Sequence, residues 1–297
     1  MNNQNSLVSV VIATHNMALY LPDAVESVRA QTYSPLEIII IDDGSTDDTS
    51  KVVAQWDGDP RVRYIYQENQ GQTRAKNRGI AEAGGKFIAF LDGDDRWRPT
   101  KLERQMPLFD VNERVGVVHS DEVFIDEQGR EIGKRQVERP QGRITEQLLI
   151  DNFVEFGSAV VRREALDKLG VFDESLSMSI DYDLWLRLST AYDFMCLDEP
   201  MLEYRIWGGQ MSHKMLQRTD CILRVLDKFE NEHGHVVGKS ALRKSKASTY
   251  VTRGFARMSS GEGRIAAFRE MLHAIRLDPL NVPAIKGLVK ILLGRKS

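Results

Sequence analysis

The sequence predicts an α/β fold in which a parallel sheet is covered by helices on both faces. The first hundred residues alternate short runs of Ile and Val with segments of helical periodicity. The apolar runs are nearly continuous, as is typical of strands buried on both sides. Polar clusters follow three of these runs directly, where the carboxyl ends of parallel strands form a ligand-binding edge.

The predicted elements follow from local pattern and from breakers. In the first hundred residues, strands are predicted at 7–13, 36–41, 62–66 and 86–91, and helices at 19–30, from 47 onward and at 72–83. Asp47 and Asp48 favour a helix start, and Gly84 with Gly85 favours a helix end. Further on, the pattern predicts a helix at 99–110, a strand at 115–119, a hairpin of 122–126 with 131–137, a strand at 158–162, a helix at 181–191, strands at 194–197 and 201–205 separated by Pro200, and helices from 215 onward.

Length and composition exclude several classes of protein. The chain has 297 residues, of which 42% are apolar, enough to form a core in one large domain or two modest ones. It has no apolar run of about 18 residues, so a spanning helix is not expected. The first residues lack the pattern of a secretory signal. The two cysteines, Cys196 and Cys221, form no close pair, so we expect a reduced, cytoplasmic setting.

Charge is unevenly distributed along the chain. Residues 1–213 contain 23 Lys and Arg against 36 Asp and Glu, a net charge of −13, whereas residues 214–297 contain 17 against 7, a net charge of +10. The basic end favours an anionic partner such as lipid head groups, with a solvated helical surface as the alternative. Its last helix has apolar residues on one face that pack on the core or contact a membrane surface; these are Ile285, Leu288, Val289, Leu292 and Leu293.

The segment Asp92–Asp95 is the strongest candidate for a binding site. Three carboxylates lie within four residues, directly after a predicted strand. Their mutual repulsion is relieved by a divalent cation, and oxygen ligands suit Mg²⁺ or Mn²⁺. Gly93 leaves room for a ligand near the backbone. The alternative is an acidic surface turn, because Asp and Gly are ordinary turn residues.

With these residues assembled, the chain resembles glycosyltransferase family 2, the inverting enzymes of GT-A fold, over about residues 6–213. The order and spacing of its motifs carry the resemblance; they are Val8–Asn16, Ile41–Asp47, Asn69–Gly71, Ala75–Gly79, Phe90–Asp95, Asp181–Trp185 and Tyr204–Arg205. The resemblance implies a nucleotide-sugar-binding half at 1–110 and an acceptor-binding half of the same domain at 111–213. Residues 214–297 form a basic helical C-terminal region.

The resemblance also implies the residues of the donor site. Asp43 would accept a hydrogen bond from the uracil imide, which fits uridine or thymidine, and a uridine-diphospho-sugar is the expected donor. Lys76 is a candidate phosphate contact, with a solvated helix position as the alternative. The nucleotide base would be lined by the segment at the end of the first strand, with His15 stacking on the base; its residues are Ala13, Thr14, His15 and Asn16.

The segment Asp92-Gly93-Asp94 matches the DxD motif of the family. Asp94 would bind Mn²⁺ or Mg²⁺, and Asp92 would hold the ribose or a metal-bound water. The metal would neutralise the leaving diphosphate. His213 is a further candidate metal or phosphate ligand, with an ordinary surface position as the alternative.

Asp181 matches the catalytic base, which takes a proton from the acceptor hydroxyl during one in-line displacement. The chain departs from many members of the family at Ile180, where they have an acid, and Asp183 therefore stays an alternative base. Without the resemblance, both carboxylates are explained by a helix N-terminus.

The resulting hypothesis is a glycosyltransferase that acts on a glycan or lipid-linked acceptor and binds no nucleic acid. We expect the protein in the cytoplasm, and a peripheral position at the inner face of the membrane is the alternative within that compartment. The alternatives are a chain that binds sugar nucleotides without catalysis and a receiver-like regulatory protein. A dehydrogenase is set aside because Thr14–Met17 stands where its Gly-rich turn belongs.

Overall fold

The computed structural model of the chain describes residue 3 and residues 5–135, 139–210, 214–260 and 263–293. Contacts divide the chain into two compact units. The first unit comprises Met1–Ile144, Phe153–Ser177 and Ala191–Gly208, and the second comprises Thr145–Asn152, Met178–Thr190 and Gly209–Ser297. The predicted functional division at residues 110 and 213 stays a prediction.

The first unit is built on one sheet. Among the described residues its strands are β1 (Val8–Thr14), β2 (Leu36–Asp43), β3 (Val62–Gln67), β4 (Phe87–Asp92), β5 (Arg96–Trp97), β6 (Val115–Ile125), β7 (Glu131–Lys134), β8 (Val160–Arg162) and β9 (Asp193–Arg205). Their order is β3-β2-β1-β4-β8-β6-β9-β5, with β7 beside β6. Strands β3, β2, β1 and β4 run parallel, as predicted, whereas β8 is antiparallel to β4.

The described helices are, in chain order, α1 (Leu21–Arg29), α2 (Thr49–Val53), α3 (Gln72–Glu82), α4 (Lys101–Gln105), α5 (Thr145–Ile150), α6 (Arg163–Leu169), α7 (Ile180–Ser189), α8 (Met215–His233), α9 (Lys239–Ser260), α10 (Arg264–Leu277) and α11 (Val282–Leu292). Helices α1 to α4 and α6 belong to the first unit, and α5 and α7 to α11 belong to the second.

Strand β2 shows why helices cover both faces of the sheet. Successive side chains of a strand point to opposite faces. Ile38 and Ile40 pack in the same cluster as the buried side of α1, whereas Ile39 and Ile41 pack with Ala75 of α3. All four isoleucines are fully buried, which explains the continuous apolar run in the sequence.

The register of the parallel strands brings the predicted polar clusters to one edge. Thr14 at the end of β1 pairs with Asp42 at the end of β2, and Ala13 pairs with Asp92 at the end of β4. Asp43 pairs with Gln67 at the end of β3. The carboxyl ends of these four strands therefore form one polar edge.

Two local predictions in the later part of the first unit were wrong. The strands expected on either side of Pro200 are one strand, β9, because it pairs with β6 along its length and a register shift accommodates the proline. The helix expected at 99–110 is the short α4 followed by a 3₁₀ turn at Met106–Asp110, which contains Pro107.

The second unit contains the predicted C-terminal helices. Met271 of α10 lies at their centre, and an ideal Cβ at Gly254 of α9 or at Gly287 of α11 would lie 2.8 Å or 2.7 Å from its Cε atom. Among the described residues, no helix is both long enough and apolar enough to cross a membrane. Of the five residues predicted to pack on the core or to contact a membrane surface, Leu288 is partly buried and packs on the core, whereas Ile285, Val289, Leu292 and Leu293 are exposed.

Candidate active site

The loops that follow β1 and β2 hold each other by side-chain contacts. Asn16 has a φ of +54°, and its Oδ1 accepts a hydrogen bond of 2.7 Å from the backbone N–H of Thr46. The Nδ1 atom of His15 lies 2.8 Å from the carbonyl oxygen of Asp43. His15 and Asn16 are both exposed. The structure thus brings together the residues predicted to line the base, and leaves two of their side chains accessible to a ligand.

Asp43 is buried, and its carboxylate organises the turn that precedes α3. Its Oδ1 accepts hydrogen bonds from the backbone N–H of Gln70 (2.9 Å) and from Nε2 of Gln67 (2.8 Å). Its Oδ2 accepts a hydrogen bond of 2.8 Å from the backbone N–H of Gly71, whose φ of +92° suits a glycine. Asp43 therefore has a structural role, and its contact with the uracil imide stays a prediction.

Lys76 lies beside the first carboxylate of the DxD segment. Its Nζ is 2.9 Å from Oδ1 of Asp92, and its side chain is only 6% exposed. The ammonium also lies over the ring of Phe156, 4.1 Å from its centroid. This ion pair shows that Lys76 belongs to the polar edge and is not a solvated helix residue.

The carboxylate of Asp94 is held by the indole of Trp207. Nε1 of Trp207 donates a hydrogen bond of 2.7 Å to Oδ2 of Asp94. Burial raises the pKa of Asp94 above its ordinary value, and the charge of Asp92 adds to this, while the bond from Trp207 acts in the opposite direction. The available sequence signal was a Trp two residues after the Tyr204–Arg205 motif.

Arg205 fixes the end of β9 to the turn that carries the DxD segment. Its backbone N–H donates to Oδ1 of Asp95 (2.9 Å), and its Nε donates to the carbonyl oxygen of Asp94 (2.8 Å). Its Nη2 forms an ion pair of 2.8 Å with Asp23. Burial raises the pKa of Asp95 well above its ordinary value, with added effects of Asp94 and Asp92. Asp95 is thus a buried anchor rather than a ligand candidate.

The carboxylate oxygen atoms at this edge are of the kind that would hold a divalent cation. Oδ atoms of Asp92 and Asp94 are hard donors, and the buried Oγ1 of Thr14 has no hydrogen-bond partner among the described residues. An ideal Cβ at Gly93 would lie 3.3 Å from that Oγ1, so the glycine keeps the space open. The described residues contain no group of three or more metal-ligating side chains, so phosphate and water oxygens would complete the shell. His213 lies outside the described residues.

Asp181 lies in the first turn of α7, within the second unit. Its Oδ2 accepts a hydrogen bond of 2.9 Å from Nδ2 of Asn152. The preceding Ser179 has a φ of +55°, a left-handed conformation that is costly for a residue with a Cβ. Oδ1 of Asn152 and Oγ of Ser179 are buried and have no hydrogen-bond partner in the part of the chain that the structure describes. Strain and unpaired polar atoms beside one carboxylate are typical of a functional site.

Asp183 has a different environment. It is buried, and its Oδ2 accepts hydrogen bonds from Nε (2.9 Å) and Nη2 (2.7 Å) of Arg187. Its Oδ1 lies 3.0 Å from Nζ of Lys228. Both oxygens are therefore engaged by cations, and the geometry favours Asp181 as the proton acceptor.

Comparison with known proteins identifies the family and the fold of the chain. The model of the family "Glycosyl transferase family 2" matches residues 9–170. An uncharacterized glycosyltransferase of Nostoc sp. is 36% identical over 215 residues, which cover 68% of this chain and 65% of the relative. The chain thus spans about two thirds of the length of this relative.

Two solved structures have the same fold. S. aureus TarS 1–349 in complex with UDP-GlcNAc has a TM-score of 0.69 at 16% identity, over 97% of this chain and 92% of the other. The mannosyltransferase PcManGT from Pyrobaculum calidifontis, in complex with GDP-Man and Mn²⁺, has a TM-score of 0.64 at 17% identity, over 97% and 88%. The predicted GT-A fold is confirmed. The chain is a member of glycosyltransferase family 2.

Proposed function

We propose that the chain transfers a sugar from a uridine-diphospho-sugar to a hydroxyl group of a glycan or lipid-linked acceptor, with inversion at the anomeric carbon. The observation that carries this proposal is the polar edge of the first unit. A nucleotide-facing pair, His15 and Asn16, and a diphosphate-facing pair, Asp92 and Asp94, follow neighbouring parallel strands. Nucleotide ligands bind at such edges.

The leaving diphosphate requires positive charge on its oxygens. Asp92 and Asp94 are the residues that would hold Mn²⁺ or Mg²⁺, and the bound metal supplies Lewis-acid stabilisation of the departing phosphate. Lys76 is a cation of the chain itself, 2.9 Å from Asp92, and contributes charge at the same place. Trp207 orients the Asp94 carboxylate through its indole N–H.

The acceptor hydroxyl requires a base. Asp181 takes its proton while the acceptor oxygen bonds to the anomeric carbon and the bond to the diphosphate oxygen breaks. Asn152 holds one oxygen of Asp181 by a hydrogen bond. The carboxylate is half-buried, and its other oxygen would accept the proton. A single displacement of this kind inverts the configuration.

Two structural relatives support a nucleotide-sugar donor, although they differ in the base. TarS is in complex with UDP-GlcNAc, and PcManGT is in complex with GDP-Man and Mn²⁺. Asp43 is the reason to propose uridine, since a carboxylate there accepts a hydrogen bond from an imide N–H. Family membership rules out the receiver-like alternative.

A panel of sugar nucleotides tests the proposal. The protein is incubated with uridine- and guanosine-diphospho-sugars, with Mn²⁺, with Mg²⁺ or with a chelator, and released nucleotide is measured. We expect release from one uridine-diphospho-sugar that depends on metal, and a product of inverted configuration by NMR. Asp94→Asn should lose the release, and Asp198→Asn, on an exposed carboxylate, should keep it. Metal-dependent binding without any release would favour the non-catalytic alternative.

A further inference from the structure

The end of the second unit exposes a cluster of large apolar side chains, called here the α11 apolar face. Their exposed fractions range from 42% for Ile285 to 86% for Leu280. Six of the seventeen exposed large apolar side chains of the described residues fall within positions 280–293; they are Leu280, Val282, Ile285, Val289, Leu292 and Leu293. Contiguous apolar surface of this kind marks a site of interaction.

The orientation of α11 is fixed by its opposite side. Ala284, Gly287 and Ile291 are buried, and they recur every three or four residues on one side of the helix. An ideal Cβ at Gly287 would lie 2.7 Å from Cε and 2.8 Å from Sδ of Met271. Because the backbone of α11 packs so closely on α10, the helix cannot turn its apolar face inward without losing this contact.

Lysines lie along one side of the α11 apolar face. Lys286 and Lys290 are exposed and follow Ile285 and Val289 directly. At 100° per residue they lie at the boundary of the apolar arc rather than opposite to it. An apolar arc with lysines at its boundary is typical of a helix that lies in the plane of a lipid surface. The alkyl stems of the lysines contact the apolar region while their ammonium groups stay in the polar layer.

The charge of α11 decides whether a lipid surface or a second copy of the chain would cover its apolar face. Val282, Ile285, Val289 and Leu292 are spaced like the seam of a helix pair, which a second copy of the chain would fit. However, α11 contains no acidic residue, so a second α11 would bring the same lysines and no partner for them. Residues 214–297 as a whole have a net charge of +10. Anionic head groups compensate this charge at the α11 apolar face, and a second α11 does not.

We propose that the α11 apolar face docks on an anionic lipid surface, with Lys286 and Lys290 contacting phosphate groups of the lipid. This inference stands on the second unit alone and does not depend on the proposed reaction. It is compatible with a lipid-linked acceptor, since docking raises the local concentration of such an acceptor at the protein.

Vesicle cosedimentation tests the proposal. The full chain is mixed with vesicles of phosphatidylcholine alone or with added phosphatidylglycerol, at low and at high salt. We expect binding to the phosphatidylglycerol vesicles that weakens with salt. The double substitution Val289→Glu/Leu292→Glu should abolish binding. Lys286→Glu/Lys290→Glu should lower the partition coefficient by at least roughly twentyfold, since each surface lysine contributes roughly fivefold.

Ile132→Glu is the matched control, because Ile132 is 56% exposed on strand β7 of the first unit. It should bind as the unaltered chain does. Sedimentation of each variant without lipid checks its assembly, and circular dichroism checks its folding. If Val289→Glu/Leu292→Glu does not fold, the test is made with Lys286→Glu/Lys290→Glu. Equal vesicle binding by all variants, or no binding by the unaltered chain, would overturn the proposal. A dimer that is lost in Val289→Glu/Leu292→Glu would overturn it in favour of a second copy.

Discussion

Replacing Asn152 with Leu tests whether this amide positions the proposed base. The substitution removes the 2.9 Å hydrogen bond to Oδ2 of Asp181 and keeps the number and the branching of the side-chain heavy atoms. A hydrogen bond to a charged group contributes roughly 1.5–3 kcal/mol. If this energy is fully expressed in the transition state, kcat falls by roughly ten- to 150-fold.

The fold should tolerate this substitution. Oδ1 of Asn152 is buried without a partner among the described residues, so Leu also removes an unsatisfied acceptor. We expect the melting temperature to change little and the KM for the donor to be unaltered, because the proposed donor residues belong to the first unit. The assay is nucleotide release at saturating donor, with kcat and KM determined separately.

A conservative series separates positioning from structure. Asn152→Asp retains the shape but cannot donate in its charged form, so its kcat should be at least as low as that of Asn152→Leu. Asn152→Gln retains the donor group and should recover part of the loss. A wild-type kcat in Asn152→Leu, or a loss of kcat that parallels a loss of thermal stability across the series, would refute the positioning role.

Three further predictions concern the first unit. Trp207→Phe should lower the Mn²⁺-dependent affinity for UDP by about tenfold, and by more toward acid pH. The substitution removes a hydrogen bond that lowers the pKa of Asp94, and its loss favours the protonated form of that carboxyl group. Calorimetry at several pH values measures the affinity. Gly79→Ala should lower the free energy of unfolding by about 1–3 kcal/mol in urea, because an added Cβ would lie 2.3 Å from Cγ1 of Val11. Burial raises the pKa of Glu122 to about 8, so its contribution to stability is complete below about pH 4.5 and is lost as the pH rises toward 8.

Each of these predictions has its own control. Gly58→Ala adds a Cβ in open space and should leave stability almost unchanged. Equal stability of the two alanine variants would contradict the close packing of α3 on β1. Glu122→Gln should flatten the dependence of unfolding free energy on pH between 4.5 and 8. An unaltered slope would show that a group other than Glu122 causes this dependence. For Trp207→Phe, an affinity for UDP equal to that of the unaltered chain at every pH would contradict the orienting role of the indole.

The parallel half of the sheet was predictable because its signals are local. The isoleucines of β2 are apolar and are all buried, so the residue type alone predicts their position. Each polar cluster directly follows its strand in the sequence. The prediction at Pro200 was wrong because it also rested on a local signal. A proline usually ends a strand, but pairing with β6 continues β9 past Pro200. Tertiary pairing outweighed the local signal there.

The partners of the site carboxylates were not predictable from local pattern. Trp207 and Asp94 are 113 positions apart, and Asn152 and Asp181 are 29 apart. A single hydrogen bond across such a distance leaves no periodicity in one sequence. The environment of Asp183 is of the same kind, since its ion pair with Lys228 joins residues 45 positions apart. Motif spacing therefore indicates which residue types matter, and the fold shows what holds them.

Calorimetric titration of UDP is the most direct test of a metal-bridged diphosphate at the polar edge of the first unit. The titration is carried out with Mn²⁺ and with a chelator, on the unaltered chain, on Asp94→Asn and on the control Asp198→Asn. The account predicts that the chelator and Asp94→Asn each weaken binding by more than about tenfold, while Asp198→Asn has no effect. Equal affinity for UDP in the presence and absence of metal, and in Asp94→Asn, would contradict it.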